Sequence, residues 1–80
     1  QNQPNPFNEE TTIGFELPEA GNATFLIHDA GGKLLRQISG YYEAGFHQLK
    51  LNRDDLPTGV LSYTLEAGAH RATKRMLISR

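Results

Sequence analysis

The sequence predicts an all-β domain, a two-sheet antiparallel sandwich of about seven short strands. Three observations predict it. Turn signals built from Gly, Pro, Asp and Asn recur at intervals of roughly 8–14 residues. The segments between them mostly alternate apolar and polar side chains, the period of a strand with one buried face. The intervals leave little room for helices, because a helix of two turns or fewer is not stable alone.

The elements follow in chain order. Residues 1–10 are polar and Pro-rich and read as a linker and first edge segment, with residues 11–80 as the sandwich. Pro4 and Pro6 bias the chain to extended conformations and also restrict Gln3 and Asn5. Such a segment is expected to lie on a sheet edge and drop Phe7 into the core. From Thr11 to Leu17, residues Ile13, Phe15 and Leu17 share a face. From Asn22 to His28, Ala23, Phe25 and Ile27 share one, opposite Thr24, Leu26 and His28. Residues 33–38 are ambiguous, since Leu34, Leu35 and Ile38 are spaced as on a helical face. Gly31-Gly32 and Gly40 bracket the segment too tightly for a helix, and a strand is expected. Next, His47, Leu49 and Leu51 oppose Phe46, Gln48 and Lys50. Then Leu61, Tyr63 and Leu65 oppose Val60, Ser62 and Thr64. In the last run Ala72, Lys74, Met76 and Ile78 oppose Arg71, Thr73, Arg75 and Leu77.

The turns have their own chemistry. Pro18-Glu19-Ala20-Gly21, Asp29-Ala30-Gly31-Gly32, Glu43-Ala44-Gly45, Asn52-Arg53-Asp54-Asp55, Pro57-Thr58-Gly59 and Glu66-Ala67-Gly68-Ala69 separate the strands. Gly31-Gly32 suits a hairpin needing positive φ, with Asp29 as its cap. Gly59 ends a turn and immediately precedes a strand, where a positive φ is expected. The predicted core is Ile13, Phe15, Leu17, Phe25, Ile27, Leu49, Leu51, Leu61, Tyr63 and Leu65. Phe7 and Phe46 are also expected at core-like positions, whereas one of Tyr41 and Tyr42 must face solvent.

Composition narrows the functions. The 80 residues make one domain, with no cysteine for a disulfide or a thiolate metal site. A core this small leaves only about 3–5 kcal/mol of net stability. Eight Lys and Arg against nine Asp and Glu lack the basic excess of a nucleic-acid binder. No apolar run approaches the ~20 residues that span a bilayer, so no direct membrane insertion is expected. His28, His47 and His70 have no second ligand at a zinc-like spacing, although strand pairing could bring His28 and His47 together. His28-Asp29 with Ser39, Ser62 or Ser79 lacks a nucleophile elbow, and a small sandwich offers little room for a deep pocket. Asp54-Asp55 is no calcium loop, and Gly31-Gly32-Lys33 is no phosphate loop. No cofactor, metal or catalytic residue is expected.

Four pieces of the chain resemble one family in order. Pro4-Asn5-Pro6-Phe7-Asn8 followed by Thr11-Thr12-Ile13 resembles its opening motif. The segment from Ile27 through Asp29, Gly31 and Gly32 to Leu34 resembles its hairpin. Leu56-Pro57-Thr58-Gly59-Val60 resembles its next motif, and Lys74, Arg75, Met76, Leu77, Ile78, Ser79 and Arg80 resemble its terminal basic–apolar–basic strand. The family is the type A C-terminal sorting domain of the bacterial type IX, or Por, secretion system. Gln3 stands where the family usually has an aromatic. Leu61 stands where an aromatic usually follows Gly-Val, with Tyr63 two residues on.

The resemblance implies an immunoglobulin-like sandwich that directs a cargo protein across the outer membrane. It implies an N-terminal cargo domain, outer-membrane components of the secretion system as partners, and removal by a sortase-like C-terminal signal peptidase. The product would pass through the periplasm and be anchored at the cell surface or released. Residues 74–80 are the expected recognition segment. Pro4, Asn5, Pro6, Phe7, Asp29, Gly32, Leu56 and Gly59 are expected to be structural. A sorting domain ends its parent chain, so Arg80 is expected to be the last residue. The alternative is a FlgD-like or fibronectin-like module, structural or carbohydrate-binding, which more sequence would follow.

Overall fold

Alternation along the chain becomes six antiparallel strands in a computed structural model that describes residues 10–52 and 56–78. They are β1 (Glu10–Leu17), β2 (Gly21–His28), β3 (Leu34–Tyr42), β4 (Gly45–Asn52), β5 (Gly59–Ala67) and β6 (His70–Ile78). β1 pairs with β4 in one sheet, and the other runs β3-β2-β5-β6. The expected N-terminal edge segment, with Pro4, Asn5, Pro6 and Phe7, lies outside the described residues.

The two sheets bury one shared cluster. Ile13, Phe15 and Leu17 of β1 and Leu51 of β4 meet Phe25, Ile27, Leu61, Tyr63 and Leu65 of the larger sheet. The Phe15 and Phe25 rings meet edge to face at 4.9 Å, a favoured arrangement for paired aromatic quadrupoles. Leu49 is half-buried against the cluster, and Ala23, Leu56, Met76 and Ile78 join it. Tyr42 turns inward against Phe15 at 5.1 Å, while Tyr41 is exposed.

One expectation fails. Phe46 is 66% exposed and not in the core. It lies on the outward face of β4, and its ring covers Gly14: a Cβ there would come within 3.0 Å of Phe46 Cζ. A glycine floor lets an outward aromatic keep one face in contact. His28 and His47 do not pair. His28 lies across from Leu34 and Ser62, whereas His47 lies across from Phe15 in the other sheet. The His47 ring stacks on Phe15 at 5.4 Å, and its Nε2 donates to the Glu43 carbonyl at 2.6 Å.

The ambiguous segment is a strand with an irregularity. Ile27 pairs with Arg36 and His28 with Leu34, so the register skips Leu35. The extra residue shifts the parity, leaving both Leu35 and Ile38 packed against the core and Leu34 outside. A bulge thus produces the spacing that mimics a helix. Ahead of it, Asp29 closes the hairpin: its Oδ1 accepts from the Gly31 and Lys33 N–H groups, both at 2.9 Å. Gly32 takes φ +91°, as that turn demands.

Gly59 enters β5 at φ +118°, a conformation that L side chains rarely adopt. A Cβ there meets nothing within 4 Å, so a substitution is resisted by backbone strain alone. Gly59→Val is expected to destabilise the domain by about 1–3 kcal/mol. Urea unfolding checks this, and an unchanged midpoint contradicts it.

Candidate functional site

The C-terminal strand β6 divides its side chains between two environments. Pairing with β5 places Met76 opposite Leu61 and Ile78 opposite Gly59, and both are about fully buried at 2% and 1% exposure. Arg75 and Leu77 point to the other side and are exposed, Leu77 at 54%. Lys74 shares the inward side with Met76, yet it is exposed and lines a shallow groove with Phe15 and Tyr63. Residues expected to act together thus separate: Met76 and Ile78 are buried in the core, while Arg75 and Leu77 face outward and Lys74 is exposed on the inward side. Ser79 and Arg80 lie outside the described residues.

β6 is the last strand of its sheet, with no further strand beside it among the described residues. An edge strand carries a row of backbone donors and acceptors that another chain can pair with. Cross-strand contacts fix β6 on β5: Thr64 and Thr73 share a side-chain hydrogen bond of 2.9 Å. The Arg71 guanidinium stands 3.2 Å from the Glu66 carboxylate, an exposed pair contributing less than about 1 kcal/mol. Beneath the exposed half of β6, a shallow groove of about 140 Å³ runs between Phe15 and Glu16 on one side and Tyr63, Ala72 and Lys74 on the other. Burial pushes the Tyr63 phenol above its ordinary pKa.

The other candidates among the described residues sit as follows. Asp29 is engaged in its hairpin, Gly32 and Gly59 hold positive φ, and Leu56 is buried. His28 and Ser62 are cross-strand neighbours on the outward face of the sheet. Asp29 is held in the hairpin by two backbone N–H groups on its Oδ1. The larger cleft, about 450 Å³, is formed by the turns around Pro18 and Gly68, away from His28. Among the described residues no three His, Asp or Glu side chains are grouped to hold a metal. No helix is long and apolar enough to cross a membrane there.

The fold defines a small all-β sandwich domain with a basic, partly apolar strand at one edge of its larger sheet among the described residues. The family model for the secretion system C-terminal sorting domain matches residues 3–79, and the chain belongs to that family. No match was found among curated proteins. The domain is a C-terminal sorting signal, the type that directs cargo through the type IX secretion system to the outer membrane or beyond.

Proposed function

We propose that the signal is presented by β6, and that outer-membrane components of the secretion system bind it by strand addition along residues 71–75. The observation that supports this is the position of β6 at the edge of the four-stranded sheet, with Lys74 and Arg75 exposed. Backbone pairing supplies affinity in such a complex, and flanking charges set register and direction. The domain acts without catalysis. Cargo attached ahead of residue 1 crosses the periplasm, and a sortase-like peptidase then removes the domain as the cargo is anchored at the surface or released. Cations on an edge strand also serve to prevent edge-to-edge association. That protective role and recognition differ in a measurable way. Lys74→Gln with Arg75→Gln, in a reporter fused to residues 1–80, is expected to retain the wild-type melt and lose export. Export at the wild-type level with both charges removed contradicts recognition through these residues.

A further inference from the structure

The outward face of the four-stranded sheet gathers apolar side chains that the core does not use. Val60 of β5 lies directly across from Leu77 of β6, and the two are 49% and 54% exposed. Opposed residues of an antiparallel pair share a face, with Cβ atoms about 4.5–5.5 Å apart. In the adjacent row Leu34, His28, Ser62 and Arg75 run across β3, β2, β5 and β6, and Leu34 is 47% exposed. Three of the five large exposed apolar side chains among the described residues therefore stand at one end of one face. Scattered singly they would need no explanation, but such a cluster marks an interaction surface.

Charge is segregated in the same direction. Residues 67–80 hold four Lys and Arg and no carboxylate, whereas residues 1–66 hold four cations and nine carboxylates. On this face Glu66 is engaged by Arg71, and the Asp29 oxygen by its turn. Among the described residues, Arg75 is the charged side chain of β6 in the row next to the Val60–Leu77 pair on this face. A cationic rim disfavours a second copy of the same face and favours a partner with carboxylates.

We infer that Val60, Leu77, Leu34 and Arg75 form a discontinuous docking patch for a protein of the export machinery, one presenting an apolar surface flanked by carboxylates. This rests on recognition through β6 and goes further: the partner reads a folded surface whose residues come from three strands, not the terminal sequence alone. Val60 is the decisive residue, because it lies outside the terminal segment and reaches the patch only through the β5–β6 register.

The test uses the full chain fused to a reporter, with Val60→Thr, which keeps a β-branched side chain suited to a strand. The expected result is an unchanged melting temperature and about a tenfold loss of export, the size expected when the threonine hydroxyl is left without a partner in an apolar contact. Leu77→Gln is expected to behave alike, and Tyr41→Thr, at the far end of the same face, to export normally. Wild-type export of Val60→Thr, with export lost in Lys74→Gln/Arg75→Gln, overturns the patch and leaves the terminal strand as the signal. Wild-type export of both variants overturns both. Sedimentation of the isolated domain as a dimer that Val60→Thr dissociates would place a second copy on the patch and overturn the acidic partner.

Discussion

Phe25→Ala is expected to leave no folded domain at room temperature. Phe25 is fully buried at the centre of β2, the strand that pairs with both β3 and β5. Its ring meets Phe15 from the opposite sheet at 4.9 Å and Tyr63 from the neighbouring strand at 6.3 Å. Truncating such a side chain removes its transfer free energy and leaves a cavity, together about 3–5 kcal/mol. A single core of this size has about that much net stability, and with no cysteine in the sequence no disulfide makes up the loss. Near-ultraviolet spectra and a urea titration check this. A cooperative melt close to wild type contradicts the place of Phe25 in the core.

Adjacent residues at the C-terminus are expected to respond in opposite ways. Ile78 is 1% exposed and Leu77 54% exposed. Ile78→Ala should cost about 2–5 kcal/mol, enough to unfold much of the population. Leu77→Ala should change stability by no more than about 0.5 kcal/mol, as expected of an exposed position. The contrast bears on how the signal is mapped. Deleting residues 77–80 removes Ile78 with Leu77, so a truncated chain loses a core side chain as well as any recognition surface. Thermal melts of the two single variants separate these roles. Equal destabilisation by both would contradict the division of β6 into a buried and an outward side.

Much of this architecture is written in the alternation. β1, β2, β5 and β6 follow their apolar period, and the Asp29 hairpin and the positive φ of Gly59 follow from turn chemistry. Two features escape for physical reasons. Alternation already set Phe46 opposite Leu49 and Leu51, but an aromatic residue argues for burial unless something on the surface receives its ring. Here Gly14 on the paired strand does so, and local sequence does not reveal that pairing. The separation of His28 from His47 depends on β3 and β4 entering different sheets, although they are consecutive. Sheet membership is a property of the whole chain. The site shows the same limit. The terminal basic–apolar strand is visible locally, and so is the outward parity of Val60 and of Leu77 taken separately. Their meeting is not, because it requires the β5–β6 register across a turn. Likewise, Leu34 reaches the outward face through the skipped Leu35, a bulge that mimics helical spacing in the sequence.

The most direct test of the sorting domain as a folded signal is fractionation of a reporter fused ahead of residues 1–80. It is expressed in a type IX-competent bacterium and in the same strain lacking the secretion channel. The expected result is reporter at the cell surface or in the medium of the competent strain, periplasmic retention without the channel, and retention of the Phe25→Ala fusion in both. Reporter held in the periplasm of the competent strain, with the wild-type domain folded, would contradict the account.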